Sequence, residues 1–284
     1  MSRTRWIPLI ALTGLALTAC APSGSDDAAT APATSAAASC SPDSLKTITP
    51  NKLTVATGNP AFPPWVIDDK PESGNGFEAA VAYAAAEKLG YTKDQVTWVR
   101  TTFDGAIAPG PKNFDWNLQQ FTITEDRKKA VDFSSAYYEA PQAVVANADS
   151  SIAKATTLAA LKSAKLGAAI GSTSLDAAQQ VIDPTTEVQV FSDNAGAVSA
   201  LKNKQIDGIV VDLPTGAYLV DAEIEDGVMV GTLPAADPYG ILLAKGSPLT
   251  ACTTQVVDDL RADGTLTQLQ ATWLADYDAV PALG

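Results

Sequence analysis

The sequence predicts an α/β protein whose folded part has two lobes with a ligand cleft between them. Strand-like and helix-like segments alternate along the chain, which is typical of βαβ units and a largely parallel sheet. The alternation occurs twice, with a change of register around residues 140–147. About 240 residues make up the folded part, which is enough for two lobes of ordinary domain size. Because ligands of open α/β sheets lie beyond the carboxyl ends of the strands, functional residues are expected in the loops that follow strands.

The N-terminal segment has the composition of an export signal. Two arginines precede an apolar run over 6–17, and this run is shorter than the roughly 20 residues that span a bilayer. It ends in the motif LTAC at 17–20, which resembles the lipobox of bacterial lipoproteins. In that family a diacylglycerol is attached to the cysteine and the chain is cut just before it. We therefore expect a signal peptide over 1–19 and a lipid on Cys20; an ordinary cleaved signal or an uncleaved membrane helix is the alternative.

Residues 20–39 are predicted to form a flexible tether. Ala, Ser, Thr, Pro, Gly and Asp make up nearly all of the segment, without apolar periodicity, so it cannot bury enough surface to offset its ordering entropy. Two acyl chains on one cysteine are enough for stable attachment. The expected location is outside the cytoplasm, anchored to the cell membrane by lipid.

Composition excludes several classes of function. The formal net charge is −13, and removal of the signal takes away two arginines and no acid, which leaves −15. Such a body is repelled by nucleic acid and by anionic lipid headgroups. The chain has no histidine, which excludes His-based triads and histidine metal sites. We expect no nucleic-acid partner, no cofactor, no metal site and no catalytic residue.

Two cysteines, Cys40 and Cys252, remain when Cys20 is taken by lipid. Outside the cytoplasm such a pair is more often bridged than free. A bridge would close a loop of more than two hundred residues, worth about 5 kcal/mol in the chain-entropy model. We expect a disulfide, with two free thiols as the alternative, since the sequence does not show that the residues are close in space.

The elements of the folded part follow in order. A β-type run at 52–57 leads into a Pro/Gly-rich loop over 58–64. Helical spacing of apolar residues predicts a helix over 76–89, which ends at Gly90. The remaining predictions are strands at 95–100, 166–170, 187–191 and 208–211, and helices at 174–181 and 194–202.

Five segments, in one order, resemble the polar-amino-acid solute-binding proteins of ABC importers. They are KLTVATGNPAFPPW (52–65), GFE (76–78), FDWNLQQFTITEDRKKAVDFSSAYY (114–138), IDGIVVD (206–212) and YGILLA (239–244). The resemblance spans roughly residues 45–275. It implies a two-lobed periplasmic-binding-protein-like fold of type II, acting as a monomer that closes on a free amino acid and delivers it to an ABC permease.

The resemblance also implies a division of the chain. Lobe 1 would comprise 40–143 and 238–284, and lobe 2 would comprise 144–237. Two chain crossings, near 140–147 and 236–243, would join the lobes and act as a hinge. A ligand that makes contacts available only in the closed form shifts the population towards closure.

A free amino acid is a zwitterion, so its site must offer a cation and an anion. Arg127 follows the loop over 122–126, and a planar guanidinium binds a carboxylate bidentately. The resemblance implies that Arg127 is the carboxylate-binding residue, with Thr122 of the loop beside it; a surface arginine paired with Glu125 or Asp126 is the alternative.

Two further polar positions complete the expected site. Ser172 and Thr173 follow a strand and open a helix, where backbone N–H groups attract anions, and the family binds the other side of the carboxylate there, chiefly through the threonine. Plain N-capping is the alternative. Asp212 ends the run IVV and matches the family's ammonium-binding carboxylate; its alternative role is an N-cap ahead of Pro214.

Aromatic residues are expected to wall the cleft. Phe62 and Trp65 lie in the loop after the first strand, and Phe103 matches another wall position of the family. Aromatic rings exclude water and so strengthen nearby ion pairs. The alternative for each is ordinary core of lobe 1.

Ligand specificity is expected from positions that vary within the family. Asn59 stands where cation-selective relatives often have an acid, which disfavours a strongly cationic ligand. Gln119 and Gln120 stand where the family has small residues. Two amides there favour a polar ligand, with an amide or carboxylate end.

Other functions remain open on the same fold. An amino acid sensor for a membrane receptor would share the whole site. Some relatives are enzymes, a dehydratase and lytic transglycosylases among them. A dehydratase needs a proton donor in the cleft, and Glu78 is the one candidate glutamate, at a position that is structural in the family. We expect a binding protein rather than an enzyme.

Overall fold

Eight strands form one sheet in the structure, a computed structural model that describes residues 40–275 and 280–284. In chain order they are β1 (Leu53–Thr57), β2 (Val96–Arg100), β3 (Trp116–Asn117), β4 (Val131–Asn147), β5 (Leu166–Ala169), β6 (Gln189–Phe191), β7 (Gly208–Asp212) and β8 (Gly227–Ala244). Their order across the sheet is β2-β1-β3-β8-β4-β7-β5-β6.

Helices connect the strands and cover the sheet. The α-helices are α1 (Phe77–Lys88), α2 (Phe103–Ile107), α3 (Thr173–Ala177), α4 (Asn194–Lys202), α5 (Leu213–Tyr218), α6 (Thr250–Ala262) and α7 (Thr265–Trp273). Short 3₁₀ turns lie at Ile67–Asp69, Pro71–Ser73, Lys93–Gln95, Arg127–Lys129 and Leu158–Leu161, and π-helical turns extend α3 and α5 over Ala178–Ile182 and Leu219–Glu223.

The long strands β4 and β8 join the two lobes. They pair antiparallel from Val131↔Ala244 to Asn147↔Gly227, with several register shifts between these ends. Strand β3 pairs with β8 on one side, and β7 pairs with β4 on the other. The two predicted crossings, near 140–147 and 236–243, therefore lie within these two central strands.

Each lobe has its own apolar core. In the first, α1, α6 and α7 pack with β1 and β3, and its largest fully buried side chains are Trp116, Tyr239 and Phe77. The second lobe has clusters on both sides of β7, built around Val210 and Ile209. Because the two cores share only the central strands, the fold is the two-lobed α/β type that the sequence predicts. The sheet is mixed rather than largely parallel, because β8 and β4 pair antiparallel with each other and with β3 and β7.

The C-terminal residues contact the second lobe. Leu283 packs in the Val210 cluster, and its backbone N–H donates to the Thr232 carbonyl at 2.8 Å. The predicted division places the whole of 238–284 in lobe 1. The residue boundaries of the lobes stay a prediction.

Most predicted elements appear within two residues of their expected bounds. The helix over 194–202 has the predicted ends. The one expected over 174–181 is a single α-helical turn at α3 that continues as a π-helix. The Gly/Pro-rich stretch over 103–115 contains a short helix, α2, that its composition did not predict.

A close backbone approach sets the position of α1. Gly76 has φ of 104°, a conformation that glycine adopts without a steric cost. A Cβ at this position would lie 2.5 Å from the Trp65 carbonyl oxygen. The loop after β1 can therefore pack directly on the start of α1, and the Glu78 N–H donates to that same carbonyl at 3.1 Å.

The predicted disulfide is present. Cys40 and Cys252 are bridged, with their Cα atoms 5.5 Å apart, so the start of the folded part is fixed to α6. The predicted signal peptide, the lipid-bearing Cys20 and the tether lie outside the described residues. None of the described helices has the length and apolar composition that crossing a bilayer requires.

Candidate ligand-binding site

Arg127 lies at the junction of the two lobes. Its Nη1 donates to the Thr122 carbonyl at 2.9 Å and its Nη2 to the Gly171 carbonyl at 3.1 Å, so the guanidinium contacts both lobes. The side chain is buried, and no acid lies within 4.0 Å of it in the described ranges. Burial lowers the pKa of the guanidinium, but an arginine stays charged. A buried cation without an anion is costly, which favours an anionic ligand here.

The alternative role of Arg127, a surface pair with Glu125 or Asp126, is not what the structure shows. Those acids pair instead with Lys128 and Lys129, at 2.8 and 2.6 Å.

Two threonine hydroxyls meet across the lobes beside Arg127. The Oγ1 atoms of Thr122 and Thr173 are 3.1 Å apart. Ser172 caps α3, since its Oγ accepts from the Leu175 N–H at 3.1 Å. The turn before it needs Gly171, whose φ is 69°. The structure thus brings together Arg127, Thr122 and Thr173, and shows capping by Ser172.

Asp212 ends β7, half-buried, with its carboxylate fixed by a neighbour on β4. Gln142 Nε2 donates to Asp212 Oδ1 at 2.7 Å and to Asp237 Oδ2 at 2.9 Å. Burial raises the pKa of Asp212 to about 6. The residue stands at the N-cap position of α5, but its side chain makes no capping hydrogen bond. Capping of α5 therefore does not account for the presence of an aspartate at position 212.

The three aromatic residues have different environments. Phe62 is 49% exposed and faces the Tyr218 ring of the other lobe, with centroids 5.9 Å apart. Phe103 stacks on Phe121 at 4.8 Å and lies under the Arg127 guanidinium at 5.3 Å.

Trp65 is a core residue with a polar edge. It is 3% exposed and packs among Phe77, Tyr138 and Tyr239. Its Nε1 donates to Thr215 Oγ1 of the other lobe at 3.4 Å. Trp65 is therefore packed as an ordinary core residue of lobe 1, which was the alternative to a place in the wall of the cleft. Its indole N–H also forms a contact between the lobes.

The amides at 119 and 120 are engaged by protein groups. Gln119 Oε1 accepts from the Thr101 hydroxyl at 3.2 Å. The backbone N–H of Gln120 donates to Glu78 Oε1 at 2.7 Å, and its side chain donates to the other oxygen of that carboxylate. Asn59 is exposed in the loop after β1. Because its side-chain amide is bonded to Glu78, Gln120 is not free to contact the side chain of a ligand.

Glu78 is a buried structural acid. The Tyr137 hydroxyl donates to its Oε1 at 2.5 Å, and burial raises the pKa of the carboxyl to about 7. Both of its oxygens accept hydrogen bonds from the loop before Thr122, so Glu78 positions that loop.

Three residues near the site were not predicted from sequence. Gln142, Asp237 and Tyr239 all lie on the central strands, and Gln142 and Tyr239 are buried. Tyr239 belongs to the segment YGILLA, which indicated the family but not a role for the phenol. A polar residue within the crossing at 140–147 is the one signal that pointed to Gln142.

Comparison with known proteins identifies the family of this chain. The family model for bacterial extracellular solute-binding proteins, family 3, matches residues 53–276. The L-arginine-binding protein of Pseudomonas aeruginosa is 30% identical over 74% of this chain and 83% of its own length. The ABC transporter glutamine-binding protein GlnH of Bacillus subtilis is 30% identical over 74% and 77%.

Among solved structures, an ancestral arginine-binding protein bound to arginine is 33% identical, with a TM-score of 0.64 over 78% of this chain and 98% of that one. Since the family model covers most of the chain and these relatives align over most of their length, the chain belongs to the bacterial extracellular solute-binding proteins of family 3.

Proposed function

We propose that this protein is a lipid-anchored receptor that captures a free amino acid between its lobes and delivers it to an ABC importer. The amino acid's carboxylate binds Arg127 together with the Thr122 and Thr173 hydroxyls. Its ammonium binds Asp212. Phe62 and Phe103 shield the ligand from water, and the lipid on Cys20 keeps the receptor near its permease.

The observation that supports this proposal most strongly is the buried guanidinium at the lobe junction. Two of its N–H groups hold carbonyls of opposite lobes, which leaves the others for a ligand carboxylate. A carboxylate bound there draws the lobes together, because it adds contacts that exist only in the closed form. The L-arginine-binding and glutamine-binding relatives, both named for amino acids, support a ligand of this class.

The contacts of Glu78 support binding without catalysis. This glutamate, the candidate proton donor of the first lobe, accepts hydrogen bonds from Tyr137 and Gln120 at both carboxylate oxygens. We therefore favour capture and release over a dehydratase-like reaction.

The test is a thermal-shift screen of the mature chain, residues 20–284 with Cys20→Ser to prevent lipidation, produced in an oxidising compartment. The ligands are the twenty common amino acids, with sugars and divalent metals as comparisons. We expect one or a few amino acids to raise the melting temperature, since a ligand that binds only the folded state stabilises it by mass action. A response to sugars or metals alone would refute the proposal.

The importer role needs a separate measurement. Deletion of the genes for a neighbouring permease and ATPase should stop uptake of the radiolabelled ligand. Normal uptake after that deletion, with loss of a signalling response, would instead identify a sensor.

A further inference from the structure

The ammonium side of the proposed site has more negative charge than a zwitterion needs. Asp212 and Asp237 both accept from the single nitrogen Nε2 of Gln142, so their carboxylates are adjacent. In the described part of the chain, no lysine or arginine nitrogen lies within 4.0 Å of either acid. An amide has no charge to offset two anions, and like charges this close repel each other.

Arg127 does not remove this excess. Its charge interacts with both Asp212 and Asp237 from beyond ion-pair distance, and a ligand carboxylate bound to it would cancel it. The ligand ammonium would then balance one aspartate. The other aspartate would be left without a counter-charge.

One buried polar atom also lacks a partner beside the two acids. Gln142 Oε1 is buried with no hydrogen-bond partner among the described residues, whereas the Tyr239 hydroxyl interacts with the Asp212 carboxylate. Gln142 is 3% exposed, and its Oε1 shares a carbon with the nitrogen that holds both acids. A buried acceptor without a donor costs free energy, so a ligand rich in N–H donors is favoured here.

We propose, on the basis of the receptor function above, that Asp237 is a second ligand-binding carboxylate and that the ligand is a basic amino acid. Its α-ammonium binds Asp212, and its side-chain cation binds Asp237 and donates to Gln142 Oε1. Both aspartates then have a counter-charge, and the unpartnered amide oxygen has a donor.

This inference reverses the expectation drawn from Asn59, which disfavoured a cationic ligand. Asn59 is exposed in its loop, and the amide of Gln120 is bound to Glu78. The charge at the site is set instead by Asp237 on β8, a residue that the sequence patterns did not indicate.

Arginine and citrulline test the proposal directly, because they have nearly the same size and differ in side-chain charge. Calorimetry on the mature Cys20→Ser chain should show arginine binding about 10- to 100-fold more tightly than citrulline, the worth of one charge-assisted hydrogen bond. Lysine and ornithine extend the test to other basic side chains, and glutamine to a shorter neutral one.

Asp237→Asn is the matching variant, since an asparagine Oδ1 can still accept from Gln142. We expect it to weaken arginine binding by about 10- to 100-fold and to leave citrulline binding nearly unchanged. Glu225→Gln, at an exposed position, makes the same change in net charge and should alter neither affinity.

The outcomes separate this proposal from the receptor function. Equal binding of arginine and citrulline, or tight binding of a neutral amino acid alone, would overturn the proposal and leave the receptor function standing. Unchanged arginine affinity in Asp237→Asn would overturn the role of Asp237. No response to any amino acid would refute the receptor function itself. If Asp237→Asn fails to fold, the ratio of the dissociation constants of arginine and citrulline for the parent chain decides whether the ligand is basic.

Discussion

Replacement of Arg127 by alanine should abolish ligand binding with little effect on folding. A bidentate carboxylate contact consists of two charge-assisted hydrogen bonds, each worth about 1.5–3 kcal/mol. Their loss amounts to about 3–6 kcal/mol, or roughly 100- to 10,000-fold in the dissociation constant. A ligand with a micromolar dissociation constant would then bind with a constant of about 0.1–10 mM.

The effect of Arg127→Ala on stability should be smaller than its effect on binding. The variant loses the bonds to the Thr122 and Gly171 carbonyls, but it also removes a buried cation that has no anion near it. These effects oppose each other. The bond to Gly171 joins the lobes, so its loss changes the balance between open and closed forms rather than the folding of either lobe.

Calorimetry measures the affinity, and circular dichroism with a thermal melt checks the fold. Arg261→Ala is the matched control, because Arg261 lies on α6 and pairs with Asp258 at 2.7 Å, outside the site. It should bind ligand as the parent chain does. Retained affinity in a folded Arg127→Ala variant would remove Arg127 from the site and refute the reasoning.

Three further predictions concern Asp212, the disulfide and Phe62. Ligand affinity should fall about tenfold per pH unit below pH 6, because burial raises the pKa of Asp212 to about 6 and protonation removes the anion that holds the ammonium. Asp237, Arg127 and Glu78 also act on this carboxylate, so the pH profile of Asp212→Asn is the control. An unchanged affinity of the parent chain at pH 5 would contradict the assignment. Serine at both Cys40 and Cys252 should lower the free energy of unfolding by about 2–5 kcal/mol without changing affinity, measured by urea denaturation and calorimetry; equal stability would show that the bridge is dispensable. Phe62→Ala should weaken binding by a factor of roughly 2–12, the worth of one aromatic contact, with an unaltered melt because the ring is 49% exposed; full affinity would place Phe62 outside the closed site.

Local patterns predicted the elements of each lobe well. Strand β1 (LTVAT) combines apolar and β-branched residues, β7 contains the apolar run IVV, and α4 has apolar residues at helical spacing, so short windows of sequence were enough. The long strands β4 and β8 were not predicted as strands, and only the chain crossings near 140–147 and 236–243 were expected within them. Polar residues such as Ser134 and Glu139 interrupt the apolar alternation of β4, and register shifts break its pairing with β8, so no continuous strand pattern marks either element.

The two ends of the proposed site differ in how far sequence could predict them. Arg127 and Thr122 belong to one local segment, so the resemblance located them together. Gln142 and its acids are 70 and 95 residues apart in the chain, and only the pairing of β4 with β7 and β8 brings them into contact. No local pattern contains that information, which is why the sequence did not indicate that Asp237 lies beside Asp212.

The central claim is that one ligand is bound through both of its charged ends. The most direct test is calorimetry with the best amino acid from the screen and two blocked forms of it, the N-acetyl derivative, which lacks the ammonium, and the carboxamide, which lacks the carboxylate. The proposed contacts predict that each blocked form binds at least about 100-fold more weakly, because each leaves Asp212 or Arg127 without its partner in a buried site. If either blocked form binds as tightly as the free amino acid, the corresponding contact is absent and the claim is wrong.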